Sequence, residues 1–75
     1  SEALHLAPRL PATLTGLRFG VRHRGARLRV EVEPEKVTYQ LLDRLPDGAA
    51  LTLVHHGERV VLTAQETTAV RVVPP

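Results

Sequence analysis

The chain has 75 residues, of which 43% are hydrophobic and 24% charged, the composition of a small folded domain rather than of a disordered tail. It contains no cysteine, which excludes disulfides, thiolate nucleophiles and zinc sites with cysteine ligands. The net charge of +2 is unevenly placed: residues 1–29 hold six arginines and one acidic residue, whereas residues 30–75 hold four basic and seven acidic residues. We expect a dipolar, cytoplasmic domain, since no apolar run approaches the ~20 residues of a membrane span and no signal peptide is evident.

Apolar and polar residues alternate with a period of two along most of the chain, which is the signature of β-strands. The residues of the apolar phase are, in chain order, Leu4 and Leu6; Leu17, Phe19, Val21 and His23; Leu28, Val30 and Val32; Val37, Tyr39 and Leu41; Leu51, Leu53 and His55; Val60 and Leu62; Val70 and Val72. Turn signals separate these runs roughly every 8–12 residues, as in sandwiches and barrels. We predict an all-β fold: a small, jelly-roll-like two-layer antiparallel sandwich of about seven short strands, forming one domain over residues 1–75.

The turn after the second run leaves two registers open. Either Arg24-Gly25 or Gly25-Ala26 can form a two-residue hairpin turn, since glycine supplies the positive φ that such turns need. Both registers keep Phe19 on the same face as the next strand's apolar residues. Phe19 is the only phenylalanine, and we expect it in an aliphatic core, where its replacement by Ala would cost about 3–5 kcal/mol.

Helices are hard to place in this sequence. The best candidate is Thr38–Arg44, which is short and begins in a segment that favours strands. A single helical turn around Pro11–Gly16 would leave the architecture unchanged.

Five arginines form the strongest cluster of functional side chains. They flank the hairpin turn in the polar phase, and alternation places all of them on one face: Arg18, Arg22, Arg24, Arg27 and Arg29. In the register we consider, Arg24 lies near Arg27 and Arg22 lies near Arg29. Like charges directly opposite each other destabilise a sheet, so this face requires counter-charge.

Three sources of that counter-charge remain open. Glu31 and Glu33 lie on the same face, with Arg18 near Glu33; alternatively, an acidic surface of another domain or nucleic-acid phosphate supplies the charge. Single-strand binders also need aromatic side chains on such a face, and this face has none. We therefore favour a docking surface for another protein domain.

No catalytic, metal or cofactor site is expected. The four histidines are dispersed, and His23 and His55 are each expected to form a hydrogen bond at the edge of the core. They would approach each other if the two hairpins pack. Glu31 and Glu33 lie about 7 Å apart, but on a flat, arginine-rich surface rather than in a cleft. Ser1, the only serine, is the first residue of the chain.

Several short segments together resemble one known family. They are Leu6–Pro11 (LAPRLP), Leu17–Phe19, His23–Gly25, Leu28–Val32, Val37–Tyr39 and Leu51–Gly57. The chain resembles the C-terminal β-sandwich domain of glycoside hydrolase family 65, which includes maltose, trehalose and kojibiose phosphorylases and acid trehalases. The resemblance implies a parent enzyme whose (α/α)6 barrel carries the catalytic glutamate and the phosphate contacts.

The implied role is non-catalytic. We expect this domain to pack on the catalytic domain of the same parent chain, with a homodimeric parent as a further expectation. Two other classes remain open: a stand-alone basic β-domain that binds nucleic acid, and a carbohydrate-binding module that uses Tyr39. The scarcity of aromatic side chains argues against the second, because sugar rings stack on exposed aromatic faces.

Overall fold

A computed structural model describes residues 3–74, which form seven β-strands. The strands are β1 (Leu4–Leu6), β2 (Leu17–His23), β3 (Ala26–Val32), β4 (Lys36–Leu41), β5 (Ala50–His55), β6 (Glu58–Thr63) and β7 (Thr68–Val72). No helix occurs within 3–74, so the all-β prediction is confirmed. The helix candidate Thr38–Arg44 instead begins inside β4. Around Pro11–Gly16 the chain forms a turn, in which the Leu14 N–H donates to the Pro11 carbonyl at 3.0 Å. None of the described segments has the helical length and apolarity that a membrane span needs.

The strands form two sheets, as predicted for a two-layer sandwich. One sheet has the order β2-β3-β4-β7 and is antiparallel throughout; the other has the order β1-β5-β6. In the second sheet β1 runs parallel to β5, which is the one departure from the expected antiparallel pairing. The parallel pair is possible because β2, β3 and β4 separate its strands in sequence, which supplies the long crossover that parallel strands require.

The core lies between the two sheets and is almost entirely aliphatic. Its buried hydrophobic residues are Ala26, Leu28, Val30, Val32, Val37, Tyr39, Leu41, Leu51, Leu53, Val60 and Leu62. Tyr39 is the aromatic centre of this cluster, whereas Phe19 is only half-buried against it. Phe19 therefore packs on the core as expected, but only at its margin, because β2 is an edge strand.

His55 joins the two layers. Its Nε2 lies 2.9 Å from the Val72 carbonyl oxygen, which can only accept, so Nε2 carries the proton and donates. Nδ1 is then the acceptor for the Tyr39 hydroxyl, at 2.7 Å. The buried imidazole of β5 thus has both nitrogens satisfied by strands of the opposite sheet, and burial raises the pKa of Tyr39 to about 12.

Candidate docking surface

The β2–β3 hairpin carries the five arginines, which we call the basic face: Arg18, Arg22, Arg24, Arg27 and Arg29. Its two-residue turn is Arg24-Gly25, with φ of 52° and 80°, the backbone of a type I′ turn. His23 consequently pairs with Ala26, which selects one of the two registers left open by the sequence.

That register changes which arginines face each other. Arg22 lies opposite Arg27, and Arg29 lies opposite Gly20, which has no side chain. The expected neighbours Arg24–Arg27 and Arg22–Arg29 are therefore wrong. Arg24 occupies the turn itself, so it extends from the tip of the hairpin rather than from the strand face.

Arg18 has a carboxylate partner on the neighbouring strand. Its Nε lies 2.8 Å from Glu31, the residue directly opposite, rather than near Glu33 as expected. Glu33 has left β3, and its N–H donates to the Lys36 carbonyl in the turn that follows. With side chains 68% and 35% exposed, the Arg18–Glu31 pair adds little stability, about 0.5 kcal/mol.

Arg27 is neutralised by Asp43, a residue that the strand pattern did not bring into the site. Its Nε and Nη2 donate to Oδ1 at 3.0 and 2.8 Å, and its backbone N–H donates to Oδ2 at 2.7 Å. These bonds lower the pKa of Asp43, to which the charge of Arg22 also contributes, and raise the pKa of Arg27. Asp43 reaches Arg27 because Leu42 continues the ladder beyond β4, its N–H donating to the Arg27 carbonyl.

Three arginines of the basic face form no ion pair within 3–74, although the charge of Arg22 acts on the nearby Asp43. Arg22, Arg24 and Arg29 take part in none of the ion pairs that the described residues form. Arg22 and Arg24 are exposed, and Arg29 is half-buried beside the gap left by Gly20. Arg24 also lines a cleft of about 340 Å³ together with His23 and Leu51. The exposed charges of this group can bind an acidic surface.

The histidines contribute no common site. The side chain of His55 forms the expected hydrogen bonds at the core edge. The side chain of His23 forms no hydrogen bond with the described residues and lines a cleft of about 340 Å³ beside Leu51. His55 lies at the other end of β5, so the two do not approach each other, and its ring neighbour is His56, at 4.7 Å between ring centroids. Within the described part of the chain, no three His, Cys, Asp or Glu side chains are grouped to hold a metal ion.

The aromatic side chains do not form a sugar-binding surface. Tyr39, which a carbohydrate-binding module would use, has 0% exposure. A sugar therefore cannot stack on its ring. Phe19 of β2, the other aromatic residue apart from the histidines, is half-buried.

Comparison with known proteins identifies the family of the chain. The family described as "Glycosyl hydrolase family 65, C-terminal domain" matches residues 1–62. The chain belongs to this family. It is also 38% identical over 69 residues to an uncharacterized glycosyl hydrolase of Mycobacterium leprae (strain TN). That alignment covers 92% of the chain but only 8% of the relative's length. No solved structure matches the chain.

Proposed function

We propose that residues 1–75 form a non-catalytic accessory domain of a larger family 65 enzyme, and that the domain docks on the catalytic domain through its basic face. The family match and the small share of the relative that the chain spans support a longer parent protein. By the same resemblance, the parent would be a cytoplasmic, homodimeric enzyme acting on an α-glucoside such as trehalose, maltose or kojibiose, by phosphorolysis or hydrolysis.

The observation that carries this proposal is the group of three unpaired arginines on one hairpin. Arg22, Arg24 and Arg29 have no carboxylate partner within 3–74, and Arg22 also lies directly opposite Arg27. Asp43 already neutralises Arg27, so the remaining charge on this hairpin is that of Arg22, Arg24 and Arg29. An acidic surface on the catalytic domain would pair with this charge and would bind more tightly than an uncharged one.

The backbone at Arg24 supports the same interpretation. Arg24 has a φ of 52°, a conformation that asparagine and glycine adopt more readily than arginine. His56 occupies the equivalent turn position in the β5–β6 hairpin with a φ of 46°, and there Nε2 of the side chain is 3.1 Å from the Pro8 carbonyl. The Arg24 side chain forms no such bond inside the described chain, so we infer that its partner lies on another domain.

Charge reversal in the full-length protein tests this function. Arg22→Glu combined with Arg29→Glu should lower the melting temperature by several degrees, because two docking contacts become repulsive. The control is Lys36→Glu, which changes an exposed basic residue at the start of β4, outside the basic face, and should leave the melting temperature unchanged. An unchanged melting temperature in the double variant would contradict docking through this face.

A further inference from the structure

The outer edge of β2 presents an unpaired row of backbone groups. His23 and Ala26 flank the two-residue turn and form a hydrogen-bonded pair, so residues 17, 19, 21 and 23 direct their N–H and C=O groups toward β3. The backbone groups of Arg18, Gly20 and Arg22 therefore point away from the sheet. No strand among residues 3–74 pairs with them.

The opposite edge of the same sheet is closed by side chains. Directly after β7, the N–H of Val73 donates to the Glu35 carbonyl, so by alternation the backbone groups of Val70 and Val72 face outward. The Val70 carbonyl accepts from Arg71 Nη1, and the Val72 carbonyl accepts from His55 Nε2, both at 2.9 Å. These side chains occupy the acceptors that an added strand would need.

The inner face of β2 is also incompletely covered. Leu17 is 44% exposed, and Phe19 and Val21 are half-buried, although all three point toward the core side of the sheet. Their partners across the ladder in β3 are at most 1% exposed. Apolar side chains beyond the present edge would complete this part of the core.

We propose that the edge of β2 accepts an extended segment of the larger protein, with alternating apolar and acidic residues, as a fifth strand of the sheet. This inference rests on the proposed function and names the segment type that docks. Its backbone would pair with Arg18, Gly20 and Arg22, and its apolar residues would cover Leu17 and Phe19. Its acidic residues would lie on the outer face beside the arginines.

Charge decides between this occupant and a second copy of the chain. Two β2 strands paired antiparallel about Gly20 would place Arg18 of one copy opposite Arg22 of the other, and such like-charge pairs are destabilising. The same arginines discourage uncharged strands from adding to the edge. An acidic strand turns that repulsion into attraction, and Gly20 leaves room for a large side chain opposite it.

Amide hydrogen exchange of the full-length protein, read at single residues by mass spectrometry, tests the inference. The amides of Arg18, Gly20 and Arg22 should exchange at least about 100-fold more slowly than unprotected amides. The amides of Val70 and Val72, which face the closed edge, should remain fast. Fast exchange at Arg18, Gly20 and Arg22 would overturn the inference.

Two proline variants provide the matched comparison. Gly20→Pro removes an outward N–H without removing a β2–β3 hydrogen bond, and Val70→Pro does the same at the other edge. Gly20→Pro should abolish protection at Arg18 and Arg22, whereas Val70→Pro should leave it intact. If Gly20→Pro fails to fold, the exchange of the unmodified protein still decides the question.

The outcomes separate this inference from the proposed function. Fast amides at Arg18, Gly20 and Arg22, together with a lowered melting temperature for the Arg22/Arg29 charge reversal, would retain docking and reject the added strand. Protection that depends on protein concentration would indicate a second copy and would also overturn the inference. Fast amides together with an unchanged melting temperature would reject both.

Discussion

The two edge strands of the four-stranded sheet, β2 and β7, differ in how their outward backbone groups are satisfied. At β7 the outward carbonyls of Val70 and Val72 are bound by Arg71 and His55, so the domain closes this edge with its own side chains. At β2 the outward backbone groups are unpaired within 3–74, the inward side chains are half-covered, and Arg22, unlike Arg18, forms no ion pair with the described residues. We propose from this difference that side chains of this chain close the β7 edge, whereas a docked partner completes β2.

The largest expected effect concerns His55, which closes the β7 edge. His55→Ala leaves the Tyr39 hydroxyl and the Val72 carbonyl without partners and opens a cavity, so it should cost about 3–5 kcal/mol of unfolding free energy. Urea denaturation of the 75-residue chain measures this loss. The control His5→Ala, at an exposed position of β1, should stay within about 0.5 kcal/mol. A loss below 1 kcal/mol for His55→Ala would reject its structural role.

The next effect is a loss of stability at alkaline pH through Tyr39, whose hydroxyl donates the hydrogen bond to His55. Its folded pKa of about 12 exceeds the ordinary tyrosine pKa of 10.0, so its stabilising effect is complete below pH 10 and declines as pH rises toward 12. The decline should reach roughly 2 kcal/mol. Denaturation curves between pH 9 and about pH 12 should show it, and Tyr39→Phe should remove this component. Equal slopes in the two proteins would contradict the assignment.

A smaller effect distinguishes the margin at β2 from the core. Phe19→Ala should cost about 1–2 kcal/mol in the 75-residue chain, because the ring is only half-buried, against about 2–5 kcal/mol for the fully buried Leu53→Ala. In the full-length protein the cost of Phe19→Ala should rise, since the docked segment would cover the ring. Equal costs in both proteins would show that nothing covers this margin.

The smallest expected effect is a gain in stability at the turn that follows β2. Arg24→Asn places a residue that tolerates positive φ at this position and should stabilise the 75-residue chain by about 0.5 kcal/mol. In the full-length protein the same substitution removes a docking charge, so the gain should be lost. Measuring the melting temperature of both forms checks the difference, and an equal gain in both would argue that Arg24 has no external partner.

The sequence predicts much of this fold because strand periodicity reports which face most residues occupy. The assignment is wrong for β7, where Val70 and Val72 of the predicted apolar phase are exposed and Ala69 and Arg71 are the more buried residues. The sequence pattern identified the strands, the position of the turn between β2 and β3, and His55 at the core edge.

Periodicity does not report which strands are neighbours. The parallel β1–β5 pair and the edge position of Phe19 therefore could not be predicted from the sequence. The partner of Arg27 was missed for a related reason, because Asp43 follows the strand and reaches Arg27 only through the tertiary structure.

Chemical modification of arginine tests the central claim most directly. Phenylglyoxal would be applied to the 75-residue chain and to the full-length protein, and the modified arginines would be quantified by mass spectrometry. Arg22, Arg24 and Arg29 should react in the short chain and be protected in the full-length protein, whereas the exposed Arg9 and Arg44 should react equally in both. Equal reactivity of the basic face in the two proteins would contradict docking through this surface.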